Sequence, residues 1–302
     1  MSNYKIGIGV FAYNRVNSLK KCLSSLPKIY PIVVFVDYPK DIYSGIQNKK
    51  ILDYLEEFLL NNPRMKITII KRSVNMGGPR GIPLGIDLLS ELHDYFFIIE
   101  DDVILSANFI KHSTDLIERG FFEKFNIFGI CASNVPYILC KNRDYSVISG
   151  YFNCWGWVGS SKNWKERSRI EFNKININEV IKKALPFASK GSLKFWKKEF
   201  NYQLEGVKYN WDARFMFDVW VSGGFFLYLP GNYSSNIGVN ATSQNNTKAR
   251  RFNYLEIKTN QNKVSCEVGR VSKGFDTCVQ KIIYLSIYRR IKLAITLKGW
   301  FF

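Results

Sequence analysis

Glu100, Asp101 and Asp102 follow directly on the apolar run 95–99. Three adjacent carboxylates repel one another unless a cation neutralises them. Hard divalent ions take such oxygen ligands and bridge them to phosphates. If 95–99 is a strand of a parallel sheet, the acids stand at its carboxyl end, where ligands of such sheets bind. The alternative is a polar turn that closes a buried strand, and the triplet alone does not separate the two. Asp212 opens the segment WDARFMFDVWVSGG (211–224), which reads as a helix closed by glycines. An acid there either caps the helix or, at the edge of a crevice, serves as a general base. With only His93 and His112 in the chain, a histidine metal site or a Ser-His-Asp triad has little to draw on.

A third pattern is GxGxxA at Gly7, Gly9 and Ala12, with Asp37 closing the next apolar run. A dinucleotide fingerprint needs its glycines after a strand and at the opening of a helix, so that amide N–H groups meet the pyrophosphate. Here the glycines fall inside the strand and the helix opens near Asn17, which argues against a dehydrogenase.

The elements that must position these groups alternate. KIGIGVFAY (5–13), PIVVFVD (31–37), KITIIKR (66–72), YFFIIEDD (95–102) and IFGICAS (127–133) read as strands. Between them, Asn17-Ser18 is expected to cap a helix with Leu19, Cys22, Leu23 and Leu26 on one face, and helices are expected over 46–60, 81–92 and 107–119. Such alternation predicts an α/β fold with a doubly wound, mostly parallel sheet. The second half breaks the rhythm. Residues 143–159 read as strand and turn ending in Cys154-Trp155-Gly156-Trp157, 160–200 as basic and helical, 225–231 as a strand and 232–262 as an Asn-rich loop.

The chain has 302 residues, 46% of them apolar, a net charge of +18 and 16% aromatics. Such a surface suits phosphate, nucleic acid or an anionic membrane face. Nucleic acid is not expected, because most aromatics sit in apolar segments and no RNP-like or zinc-finger pattern occurs. No apolar run is long enough to span a bilayer. The N-terminal stretch lacks the features of a signal peptide, so the six cysteines, none in a CxxC pair, are expected to be reduced and the protein cytoplasmic.

AYNR (12–15), VFVD (34–37), EDDVILSANF (100–109), CWGW (154–157) and YNWD (209–212) occur in that order. Together they resemble the nucleotide-sugar-dependent glycosyltransferases of the GT-A fold, in the family 2-like superfamily. The likeness is greatest to bacterial surface-polysaccharide transferases and to the N-acetylglucosaminyltransferase that starts complex N-glycan branching, and it spans roughly 5–240. It implies a GT-A-type domain over 1–262, with a nucleotide-binding half (1–135) and an acceptor half (136–262), and a basic C-terminal extension over 263–302.

The resemblance also implies roles. Asn14 and Arg15 would approach the nucleotide, and Arg15 suits a diphosphate. Asp37 would accept a hydrogen bond from the base, and Arg80, in NMGGPRG, would be a further phosphate or nucleotide contact. Asp102 would hold a divalent metal, Mn²⁺ or Mg²⁺, with Glu100 and Asp101 near ribose and donor sugar. Asp212 would be the catalytic base. Trp155, Gly156 and Trp157 would line the sugar site, the alternative being that the tryptophans are core. The implied reaction moves a sugar, with inversion, from a nucleotide-diphosphate donor, expected to be a UDP-sugar, to a glycan or lipid-linked glycan acceptor. A nucleotidyltransferase is the competing enzyme class. The sequence departs from the pattern after the last strand, where relatives often carry a His or an acid and this chain reads NIGVNATSQNNTK; Asn236 and Gln244 are the substitutes it offers. Residues 281–302 carry an apolar stripe (Ile283, Ile287, Ile291, Ile295) beside basic residues, and are expected to make peripheral contact with the inner membrane face or to pack on the core.

Overall fold

The continuous burial of apolar strands and the period-3.6 burial of helices account for most of the chain's elements. The computed structural model describes residues 3–136, 145–167, 175–206, 209–238, 258–259 and 271–280. In chain order these form β1 (Ile6–Ala12), α1 (Val16–Ser25), β2 (Ile32–Val36), α2 (Ile42–Asn61), β3 (Ile67–Lys71), α3 (Gly77–Leu92), β4 (Tyr95–Glu100), β5 (Val103–Leu105), α4 (Ala107–Glu118), α5 (Phe121–Lys124) and β6 (Ile127–Cys131). There follow β7 (Val147–Ser149), β8 (Trp157–Ser160), α6 (Ser161–Glu166), α7 (Ile177–Ala184), α8 (Lys190–Leu204), α9 (Trp211–Val221), β9 (Phe225–Tyr228), β10 (Gly231–Asn232), β11 (Ser234–Asn236) and β12 (Lys258–Thr259). Residues 273–280 are helical and bring Phe275 into the core. The expected membrane-facing tail, 281–302, lies outside the described residues. Among the described residues no helix is long and apolar enough to cross a membrane.

The main sheet has eight strands in the order β3-β2-β1-β4-β8-β6-β9-β7. The β3-β2-β1-β4 half is parallel throughout, as the alternation of elements predicts, and β6 is parallel to β9. The expectation of an α/β, mostly parallel, Rossmann-like sheet therefore holds. The departures are β7, antiparallel to β9 at the edge, and β8, which enters antiparallel between β4 and β6 and so joins the two halves. Helices cover both faces, which is why strands such as β1 are buried at every position.

β1 shows how the side chains divide. Ile6, Ile8, Val10 and Ala12 pack with Leu19, Cys22, Leu23, Ile51 and Leu55 of α1 and α2. The alternate positions Gly7, Gly9 and Phe11 face α3. A Cβ at Gly7 would overlap the His93 ring and one at Gly9 the Leu89 side chain. The two glycines of the GxGxxA pattern thus let α3 approach the sheet, and no phosphate-binding turn is built from them. The α1 boundary lies earlier than expected: Arg15, not Asn17-Ser18, is its N-cap, with no side-chain cap bond.

Two further expectations are corrected. Trp157 is a core residue. It is fully buried on β8, with its ring centroid 5.1 Å from Phe215 and 6.5 Å from Trp211. The indole ring supplies apolar area that only a closed interior can cover. Asp218, on α9, is buried too and accepts from Arg214 Nε at 2.9 Å. Cys278 is disulfide-bonded, whereas Cys22, Cys131 and Cys154 are free thiols. Spacing along the chain carries no sign of a bridge closed by the fold.

Asp276 makes stability sensitive to pH. It is 1% exposed, its Oδ1 accepts from Ser149 Oγ at 2.6 Å, and its Oδ2 is buried without a partner among the described residues. Burial pushes the carboxyl up from 3.8 to about 7, against the opposing Ser149 hydrogen bond. Between those values the folded chain keeps a proton that the unfolded chain has lost. Asp276's contribution is therefore complete below about pH 4, falls as pH rises through the window, and levels off above about pH 7. Asp276→Asn should remove this decline, so that the variant gains on the parent between pH 5 and pH 8. Urea midpoints at the two values check it; parallel shifts in the two proteins would assign the pH dependence elsewhere.

Candidate active site

The carboxyl ends of β1, β2, β3 and β4 open on one edge of the sheet, and each delivers a polar or charged residue there. β4 ends in Glu100, paired in register with Phe11 of β1, and Asp101 and Asp102 turn the chain into β5. β5 is held by an antiparallel ladder to β11, which brings the segment after β11 back over the acids. Ile237 N donates to the Asp102 carbonyl at 2.7 Å. Gly238 lies so close that a Cβ there would overlap the Asp102 carboxylate. Asn236 Oδ1 accepts from Gly238 N at 2.9 Å and shapes this turn; Gln244 lies outside the described residues.

Arg15, just beyond β1, bridges two of the acids. Nη2 donates to Asp101 Oδ1 at 2.5 Å and Nη1 to Asp102 Oδ2 at 2.6 Å. Asp101 is almost wholly buried and also accepts from Tyr13 N at 3.3 Å. Burial first, then Asp102 and Asp101, raise the Glu100 carboxyl well above the usual carboxylate range; Arg15 opposes this, and Asp212 adds to it. Burial raises Asp101 as well, less far, because Arg15 opposes it directly. Burial works against the Arg15 charge, but Asp101, Asp102 and Glu100 outweigh it and keep the guanidinium protonated. Two carboxylates, Asp101 and Asp102, face one guanidinium, so the cluster holds excess negative potential.

That excess suits a divalent cation. Asp102 Oδ1 is buried with no hydrogen-bond partner among the described residues. Among those residues no group of three His, Cys, Asp or Glu is arranged to hold a metal. An ion here would have one or two carboxylates as ligands and would need phosphate and water to complete its shell, as Mg²⁺ commonly does.

A cavity of about 220 Å³ adjoins the cluster. Glu100, Asp101, Arg15 and Asp37 line it, as do Arg72, Asn75, Lys40 and the backbone at Gly77 and Gly78. Its apolar side is Phe11 stacked on Phe35, centroids 4.8 Å apart, with the Arg72 guanidinium 5.7 Å from the Phe35 ring. Arg72, Lys40 and Asn75 went unnoticed in the sequence. The signal for Arg72 was present: it follows β3 directly, where the rule that drew attention to Asp37 and Glu100 applies equally.

Asp37 is placed in the cavity wall, but its carboxylate is already engaged. Oδ1 accepts from Tyr38 N (3.0 Å) and Met76 N (2.9 Å), and Oδ2 from Gly77 N (2.8 Å) and Asn75 Nδ2 (3.3 Å). Four donors fill the lone pairs of two oxygens. Asp37 thus caps α3 from a distance, at a helix end whose own N-cap, Met76, has no side-chain bond. Gly77, at φ +63°, supplies the left-handed turn. Asp37→Ala is expected to cost about 0.5–2 kcal/mol, as for a lost helix cap, read as a lower urea midpoint. Loss of nucleotide affinity at unchanged stability would return Asp37 to the expected base-contacting role.

The remaining expected residues divide. Asp212 lies in the first turn of α9, whose N-cap is Asn210, so it is not the cap. Its charge is felt at both Glu100 and Cys154, raising both groups. Asn14 is half-buried beside Arg15. Trp155 is half-buried, and its carbonyl accepts from Ser234 Oγ at 2.7 Å, beside β11. Gly156, at φ +80°, turns the chain against Leu105. Arg80 is exposed on α3 and does not line the cavity, because a helix begins at Gly77 where a loop was expected and turns its side chain outward.

No family model and no curated protein matches the chain. Solved structures with some likeness include 4-diphosphocytidyl-2C-methyl-D-erythritol synthase of Anaerococcus prevotii (10% identity, 57% of this chain and 78% of that one, TM-score 0.34). Another, from Bacillus anthracis, is described as a glucose-1-phosphate thymidylyltransferase (12% identity, 89% and 98%, TM-score 0.36). A third is the glycosyltransferase GlyE of Streptococcus pneumoniae (12% identity, 65% and 44%, TM-score 0.28). At such scores the likeness carries no argument about fold or activity.

Proposed function

We propose that this chain is an inverting glycosyltransferase that moves a sugar from a nucleoside-diphosphate donor, a UDP-sugar by resemblance, to a glycan or lipid-linked glycan hydroxyl. The observation that carries the reading is the Arg15–Asp101–Asp102 ion-pair cluster beside a strand-end cavity that Arg15, Glu100 and Asp101 line, with the charge of Asp212 felt at Glu100. With a divalent ion at the acids, such a set could neutralise a diphosphate beside Arg15 and deprotonate a hydroxyl without histidine. Asp212 takes the acceptor's proton as that oxygen attacks the anomeric carbon on the face opposite the leaving group, so the configuration inverts. Arg15 lies within reach of the diphosphate, where a guanidinium pairs with phosphate oxygens. A divalent ion held at Asp102 would supply positive charge where the leaving diphosphate gains negative charge. Phe11, Phe35 and Arg72 offer the flat, partly cationic surface on which a base can lie.

The test is a panel of nucleotide sugars with Mn²⁺ or Mg²⁺, scored for the released product. Free nucleoside diphosphate is expected. Pyrophosphate released from a nucleoside triphosphate and a sugar phosphate would overturn the reading in favour of a nucleotidyltransferase.

A further inference from the structure

The Arg15 guanidinium joins two different carboxylates, Asp101 Oδ1 at 2.5 Å and Asp102 Oδ2 at 2.6 Å. An ion held between the same oxygens must stand where its nitrogens stand. There is no room beside it. A Cβ on Gly238 would overlap Asp102 Oδ2 and come within 2.6 Å of Arg15 Nη1, so the backbone at Gly238 already closes that side. Asp101 and Asp102 are 1% and 7% exposed and cannot turn to water. Arg15 is the mobile partner: its side chain keeps 35% of its surface exposed. It also lines the cavity into which a displaced guanidinium would move. Asp102 Oδ1, buried without a partner among the described residues, is a ligand atom that Arg15 leaves unused.

We propose that Arg15 is a tethered counter-ion that holds the cation position between Asp101 and Asp102 until a divalent ion displaces it, and that the displaced guanidinium then pairs with a diphosphate in the adjoining cavity. This deepens the reading above and rests on it. The exchange keeps the acids neutralised before and after, and makes metal entry and anion binding favour each other. By linkage, each ligand then raises the affinity for the other by the same factor.

The experiment measures Mn²⁺ binding alone at pH 8, by electron paramagnetic resonance, in the full chain, Arg15→Met and Asp102→Asn. Arg15→Met removes the competitor but keeps an unbranched stem, and should bind Mn²⁺ about tenfold more tightly, the worth of one charge-assisted hydrogen bond. With Mn²⁺ saturating, inorganic pyrophosphate should bind that variant about tenfold or more weakly than the parent. Mn²⁺ affinity that is unchanged or lower in Arg15→Met, but lost in Asp102→Asn, overturns the exchange and leaves the metal site standing. No Mn²⁺ binding by any of the three overturns both. Should Arg15→Met not fold, Arg15→Lys, which reaches the acids with one prong, must bind Mn²⁺ more tightly than the parent; equal affinity overturns the proposal.

Discussion

Asp212→Asn should lower kcat by about 10²–10⁴-fold, the usual contribution of a positioned base. Asn has the shape of Asp and keeps an oxygen for the Ala213 N–H, which Asp212 Oδ1 accepts at 2.9 Å. What it loses is the ability to take a proton. A carboxylate in the first turn of a helix contributes about 0.3–1 kcal/mol through the helix dipole. The stability cost should therefore be small beside the kinetic one. Donor affinity should persist, because the proposed donor contacts lie on β1, β3 and β4. Measured together, kcat, donor affinity and the urea midpoint separate the two roles. A near-parental kcat would leave Asp212 a charge that serves only the helix, and the base would have to be sought elsewhere around Glu100.

The second large effect concerns Asp102. Asp102→Asn, or chelation of the parent with EDTA, should each remove turnover by about 10²-fold or more, since Lewis-acid stabilisation of a leaving group is worth several kcal/mol. The two treatments should not add, because both remove the same charge from the same place. Added Mn²⁺ should restore the chelated parent and not the variant. Unimpaired turnover in EDTA would mean that Arg15 alone serves as the cation, and the metal would have no part in the reaction.

Much of the frame could be read from the residues. β1 to β4 and their helices announce themselves through apolar runs and amphipathic spacing, and the acids after β4 mark the ligand edge. What could not be read has physical causes. β8 is four residues long and follows a glycine turn, so nothing local shows that it pairs antiparallel with two distant strands. α3 begins with Gly77-Gly78-Pro79, a loop signature. Its first turn tolerates proline because those N–H groups need no helical partner. The signal that makes it a helix is the Asp37 carboxylate, forty residues away. Arg80 and Trp157 were assigned by motif, and a motif does not tell which side of an element a side chain occupies. Arg72 follows β3 directly, a position as informative as that of the acids after β2 and β4.

The antiparallel entry of β8 also has a consequence for how the chain is made. β4 ends at Glu100 and its second neighbour begins at Trp157. At a synthesis rate of about 5–20 residues per second, some three to eleven seconds pass between the two. During that interval the first four strands can assemble, yet β4 presents an unpaired row of N–H and C=O groups flanked by Phe96, Phe97 and Ile98. Such an edge invites pairing with other chains. The nascent protein is therefore most prone to aggregate after its ligand-binding edge has formed and before its central strand arrives, and slowed translation between residues 100 and 157 should lower the soluble yield.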